Sequence, residues 1–341
     1  MTPKRLGFFT RLLDDVPAGE RYRLAAEQIV HAERNGFDSA WIAQHHFHAD
    51  EGGLPSPTVF LAHVAAQTSK IRLGTGVITL PMENAIRVAE DTAVLDLLSG
   101  GRLEIGFGTG GTRESFEAFG IDSDKRGAVY AENLDIVRAA WSGKPLKGGN
   151  VLYPHAPDLA DHVWLATFSV EGARLAGLSG DGLMLSRTQP RPAGKPDATL
   201  GDIQNPIIDA YLAGLPKGRA PRILGSRSLF VADDRKRALA LAETGLRRGA
   251  DRFAELGHRI PGDTVEDLIR GLDSHVGTPD DVIASLKQDT ALARVTDLVF
   301  QVHSIDPPHA DILRSIELIA AEVAPALGWR GPSEPQLVAA Q

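Results

Sequence analysis

The sequence predicts an α/β fold, a (β/α)8 TIM barrel with insertions at its C-terminal face. Two observations carry this: short apolar runs alternate with longer helical patterns along the chain, and the strand-like runs number eight without interruption. The first run, Arg5–Thr10, is followed by a helical pattern over Glu20–Asn35 that places Tyr22, Ala25, Ile29 and Ala32 on one face and stops at Gly36. Strands at Ser39–Ala43, Ile71–Thr75 and Leu103–Phe107 are followed by helices at Thr58–Thr68, Ala85–Leu98 and Ala128–Trp141. Next come Val163–Thr167 with Val170–Leu178, then Gly182–Ser186 with Asp202–Ala213. Leu224–Val231 precedes helices at Arg235–Arg248 and Asp280–Thr290, and Leu298–His303 precedes a last helix, Ala310–Ala324, striped with Ile312, Ile316, Ile319 and Val323. A doubly wound sheet with a cap also fits a βα series, but the uninterrupted eightfold count favours the barrel.

Two stretches break the alternation. Arg187–Gly201 holds Pro190, Pro192, Gly194 and Pro196, and Gly249–Gly277 reads as a weakly helical excursion. The first follows strand six, at the end of a barrel where active sites form, and is a lid candidate as well as a plain surface loop. At 341 residues the chain can form two domains at roughly 150 each, yet barrels commonly absorb this length in one. The expectation is one barrel domain over residues 1–330 and a disordered C-terminal tail over 331–341.

Composition narrows the chemistry. With 36 Lys and Arg against 44 Asp and Glu, the net charge is −8 and no basic tract marks a nucleic-acid face. Cysteine is absent, which removes disulfides, Cys-ligated metals and thiol nucleophiles. No signal-peptide stretch and no run of about 18 apolar residues is present, so a cytoplasmic protein without a membrane span is expected.

Four places carry chemical character. Gln44-His45-His46-Phe47-His48 directly follows strand two, where barrel side chains face the active-site mouth. Its imidazoles could act as acid or base beside a cofactor, or ligate a metal with Asp50, Glu51, His303 and Asp306. The ends of strands three to six carry Thr, Gly, Ser and Arg instead, which suits an anion or flat ring better than a metal, so no metal site is expected. Gly106-Phe107-Gly108-Thr109-Gly110-Gly111 satisfies the letters of a dinucleotide fingerprint. It does not lead straight into a long helix, which rejects that role and leaves a turn where backbone amides approach a ligand. Ser169, after strand five, is placed to cap a helix whose free amides suit a phosphate. Gly74-Thr75-Gly76-Val77 interrupts strand three with glycine, a sign of a bulge or close approach.

Taken together these residues resemble the bacterial-luciferase-like monooxygenases. The resemblance runs in order through Asn35–Trp41 to His45-His46-Phe47, Ile71–Val77 to Leu80-Pro81, Arg87–Asp91, and Leu95–Arg102 into Gly106–Gly111. It ends through Phe119-Gly120, Gly180–Gly182 and Val276–Pro279. The family resemblance implies reduced FMN, or the deazaflavin F420 in some branches, at the mouth of a (β/α)8 barrel. The ring would pack on a bulged strand three, where a non-proline cis peptide maps to Gly76-Val77. The phosphate would lie near Phe168, Ser169 and Gly172, with Thr109, Gly110, Thr112 or Arg187 assisting. The implied reaction uses O2 through a flavin hydroperoxide on a small organic substrate, with His45 handling protons beside Gln44 and His46. Gln44 stands where luciferase has an acid, Thr109 replaces a cationic phosphate contact, and Lys147–His162 is short. These departures argue against light emission and suit an enzyme supplied with reduced flavin by a separate reductase. The resemblance further implies a homodimer through the helices beside strands two and three. The competing readings are an F420-dependent dehydrogenase, a metal-dependent hydrolase using His45 and His46, and a flavin-binding protein without turnover.

Overall fold

The computed structural model describes residues 3–330 except 193, 196, 197, 256–259, 261 and 303–306. Nine parallel strands are present among the described residues: β1 Arg5–Thr10, β2 Ser39–Ile42, β3 Arg72–Thr79, β4 Leu103–Gly108, β5 Val163–Ala166, β6 Gly182–Leu185, β7 Ile223–Val231, β8 Ser274–Gly277 and β9 Asp297–Gln301. Pairing runs from β1 through β7 in sequence order, then to β9 and back to β1, closing an eight-strand barrel. All pairs are parallel, as strands joined by helical crossovers must be.

The ninth strand corrects the sequence reading of Gly249–Gly277 as a weakly helical excursion. Nine-residue β7 serves two partners: Leu224–Ser228 pairs with β9, and Ser228–Val231 pairs with β8. With one large apolar residue in Ser-His-Val-Gly, β8 carries no periodicity to read.

The helices pack around this ring: α1 Ala18–Arg34, α2 Pro57–Ala65, α3 Ala85–Ser99, α4 Arg113–Ala118, α5 Arg126–Trp141, α6 Val170–Ser179, α7 Leu200–Gly214, α8 Arg235–Glu255, α9 Val265–Gly271, α10 Pro279–Leu286 and α11 His309–Leu318. Local sequence sets several starts. Thr199 with Asp202, Thr264 with Asp267 and Thr278 with Asp281 form reciprocal capping boxes at α7, α9 and α10.

Inside the barrel Trp41 and Trp164 meet edge to face with centroids 5.7 Å apart, beside Met184, Leu224 and Val299. Room for the indoles comes from Gly74 and Gly182, where an added Cβ would lie 2.3 Å from the respective ring. Trp164 donates its Nε1 proton to Glu104, which also pairs with Arg72, so the buried polar atoms of this layer are satisfied. A filled lower barrel leaves the C-terminal end as the place for a site. Residues 331–341, expected to be a disordered tail, lie outside the described residues.

Candidate active site

A cavity of about 2010 Å³ opens at the C-terminal ends of the strands. Its inner wall is built by Phe9 of β1, Val77 of β3, Met184 of β6 and Leu224 of β7, an apolar surface suited to a flat ring or hydrocarbon. The described parts of the proline-rich stretch after β6 border it from Arg187 to Arg191 and from Ala198 to Gly201. Arg191 there is ion-paired with Asp273, which ties the stretch to the segment leading into β8.

Strand β3 is irregular where it meets the cavity. Its register against β4 shifts between Thr75 and Ile78, and the Gly76–Val77 peptide is cis. The bulge stands because β4 offers no side chains opposite it: a Cβ on Gly106 would lie 2.2 Å from the Thr75 carbonyl oxygen, and one on Gly108 2.6 Å from Val77 Cγ2. Thr75 Oγ1 also donates to the Gly106 carbonyl and accepts from its amide. Gly76 and Val77 both face the cavity.

The histidine cluster after β2 is divided by the fold. His45 lines the cavity, its amide held by the Leu54 carbonyl at 2.9 Å. The Nδ1 atom of His45 is buried and has no hydrogen-bond partner among the described residues. Burial, followed by the charges of Arg11, Arg252, His46 and Arg187, pushes its pKa down to about 3, so the ring is neutral at ordinary pH. His46 does not line the cavity and packs edge-on against Phe119 at 4.8 Å; burial lowers its pKa as well. Gln44 is wholly engaged with protein: its amide donates to Pro55 O and Glu83 Oε1, and its oxygen accepts from Thr79 N at 2.7 Å. It braces the end of β3 from β2.

After β5, Phe168 lines the cavity and Ser169 caps α6 by accepting from the Gly172 amide at 3.0 Å. Thr167 Oγ1 accepts from the Ser169 amide, and a Cβ on Gly172 would lie 2.2 Å from that oxygen. The first-turn amides of Val170 and Glu171 have no intrahelical acceptor by geometry, and Ser169 to Gly172 do not border the cavity themselves. Thr109, Gly110 and Thr112, after β4, do not border the cavity; Gly110 takes φ 73° behind Thr79, and Thr112 Oγ1 donates to Glu51 at 3.4 Å. Arg187 turns away from α6, with Nε donating to Gln301 of β9 at 2.6 Å and Nη1 to Ser228 of β7 at 3.2 Å.

Sequence reasoning missed two cavity residues. Arg11 stands just past β1, so the argument that singled out His45 past β2 applies to it equally. His275 sits on unforeseen β8, with Nδ1 2.7 Å from Ser285 Oγ; burial and the Arg227 charge press its pKa down to about 4. No cluster of three or more His, Asp or Glu side chains with metal-holding geometry occurs among the described residues, and His303 and Asp306 lie outside them. No described helix is long and apolar enough to cross a membrane.

Comparison with known proteins adds the following. A family model described as luciferase-like monooxygenase matches residues 6–296. Limonene 1,2-monooxygenase of Rhodococcus erythropolis is 28% identical over 317 residues, covering 88% of this chain and 80% of that protein. The first curated relatives matched are covered less fully, the chain spanning 32%, 55% and 57% of their lengths. Two solved structures share the fold over 95% of this chain and 99% of theirs. One is the monooxygenase RslO1 of Streptomyces bottropensis, with TM-score 0.77 and 24% identity. The other is the oxygenating constituent of 3,6-diketocamphane monooxygenase from Pseudomonas putida in complex with FMN, with TM-score 0.73 and 20% identity.

Proposed function

The chain belongs to the luciferase-like monooxygenase family, and from that premise we propose that it is an FMN-dependent monooxygenase that uses reduced FMN and O2 to oxidise a small organic substrate. The observation that carries the reading is the bulge at Gly76-Val77 facing a large apolar-walled cavity that His45 also lines. The bulge turns Gly76 and Val77 toward the cavity, whose apolar wall suits a planar ring, and His45 brings an imidazole to the same space.

The residues present fit the cofactor. Val77, Met184 and Phe9 would flank the ring, Phe9 being packed against Gly76, where a Cβ would lie 2.8 Å from its ring. Phe168, Ser169 and Gly172 would hold the phosphate through the first turn of α6, near its positive dipole end. When bound, reduced flavin supplies the electrons that activate O2. His45, held neutral, can donate or accept a single hydrogen bond at the reacting centre without placing a net charge there. Gln44 keeps β3 in register with the loop that carries His45, and Arg187–Arg191 with Ala198–Gly201, which border the cavity, would limit access of water. Neither Thr109 nor Thr112 adds a cation to the phosphate end, which supports transient use of flavin supplied by a separate reductase.

A homodimer in the cytoplasm completes the proposal. Val59 on α2 and Val94, Leu97 and Leu98 on α3 are exposed apolar side chains on the helices that follow β2 and β3.

Anaerobic titration of the purified protein with FMN, reduced FMN and F420, followed by protein fluorescence, tests the reading. Preferential binding of reduced FMN supports it. A preference for F420 redirects it to hydride transfer, and no binding of any of the three overturns it.

A further inference from the structure

We propose that the organic substrate carries a carboxylate, and that Arg11 and Arg187 hold it on the β7–β9–β1 side of the cavity while its apolar remainder lies toward Gly76-Val77. This rests on the mouth of the barrel being the site of oxidation.

Arginines that border the cavity differ in their partners. Arg191, Arg252 and Arg270 border it with carboxylate partners, Asp273, Glu51 and Asp267 respectively. Arg11 and Arg187 border it with none among the described residues: Arg187 donates to the neutral Gln301 and Ser228, and Arg11 donates to the carbonyl of Glu51, whose carboxylate is taken by Arg252. A guanidinium has five N–H donors, and most of those on Arg11 and Arg187 meet no acceptor among the described residues.

Two neighbouring buried cations with no carboxylate ion-pair partner among the described residues are costly to keep charged, and the directions of their pKa shifts agree. Burial and the charge of Arg11 push Arg187 down to about 9, and burial with the charge of Arg252 pushes Arg11 down to about 10. Asp50 and Glu51 act on Arg11 in the opposite direction but do not offset the burial. The same pair of cations acts on His45. A ligand anion would offset the charges of Arg11 and Arg187 together, and a planar carboxylate matches the guanidinium fork.

The flavin phosphate is a poor match for this anion. Arg187 is anchored to β7 and β9, whereas the α6 amides follow β5, and β6 and β7 lie between β5 and β9 in the ring. The other walls, Phe9, Val77, Met184 and Leu224, are apolar, so the ligand that fits is a carboxylate with a hydrocarbon body.

Octanoate and octanamide, which share a chain and differ in charge, are the probes. Their dissociation constants for the full-length protein are measured by thermal-shift titration, with FMN and riboflavin titrated in parallel. Octanoate is expected to bind about tenfold or more tightly than octanamide, as hydrogen bonds to a charged group provide. Arg187→Gln and Arg11→Gln should each remove that preference, and Arg187→Lys should retain part of it. Their FMN affinity should stay at the wild-type value. Equal effects of the two probes on the wild type, including none by either, overturn the proposal. So does a loss of FMN but not riboflavin binding in Arg187→Gln, which would identify the anion as the flavin phosphate. Octanoate preference without any flavin binding sinks the monooxygenase reading and leaves the anion site standing; flavin binding without the preference does the reverse.

Discussion

His45 is a single side chain whose environment was not visible in its neighbours along the chain. Three histidines within four residues mark a strand end, but only the fold sends His45 into the cavity and His46 against Phe119. Replacement of His45 by Ala is expected to lower product formation by ~10²-fold or more with flavin affinity nearly unchanged, measured by coupled turnover and titration. Because its pKa lies near 3, kcat/KM between pH 5 and 9 should show no His45 inflection near 6.5; an inflection there that vanishes in His45→Ala would contradict this environment. His275 provides a stability test. Its folded pKa, about 4, lies below the unfolded value near 6.5, so at intermediate pH the unfolded chain binds the proton first. Its contribution is therefore fully present above about pH 6.5 and is lost as pH falls toward 4, by roughly 3 kcal/mol. Urea unfolding of wild type and His275→Gln at pH 7, 6, 5 and 4 should show a shallower acid limb in the variant.

At the scale of elements, the glycines of the loop-like motif after strand four separate by what stands behind them. Their spacing mimics a dinucleotide fingerprint, yet Gly106 and Gly108 belong to β4 and make room for the β3 bulge, while a Cβ on Gly111 would meet nothing within 4 Å. Gly106→Ala would press on backbone at Thr75, so it should cost about 1–3 kcal/mol in urea unfolding and weaken flavin binding with it. Gly111→Ala should stay within about 0.5 kcal/mol of wild type in the same assay. Equal costs at both positions would show that the bulge does not depend on the gap in β4. Ser169 gives a second element-level test. As the cap of α6 it should cost about 1 kcal/mol when changed to Ala, and FMN affinity should fall more than riboflavin affinity if α6 holds the phosphate.

For the whole molecule, the apolar patch on α2 and α3 is the feature with consequences for assembly. Leu97 and Leu98 are 64% and 63% exposed, with Val94 one turn earlier on the same face. Changing Leu97 and Leu98 together to Arg should convert a dimer to a monomer in sedimentation velocity, without altering the thermal transition of the monomeric unit by more than a few degrees. A monomeric wild type would sink the assembly proposal at once.

The alternation of apolar runs with amphipathic segments, the eightfold count and the cap at Ser169 were legible in the sequence, because each is a local pattern enforced by burial or by orphaned helix amides. Strand β8 was not, since four residues with one large apolar side chain hold their place only through pairing with the far half of β7. The direction of Arg187, drawn to β7 and β9 rather than toward α6, and the lack of a carboxylate ion-pair partner for Arg11 among the described residues also arose only in three dimensions. Periodicity along a chain reports which side of an element is buried; which charges meet across a barrel mouth depends on strand order around the closed ring, and no local pattern encodes that.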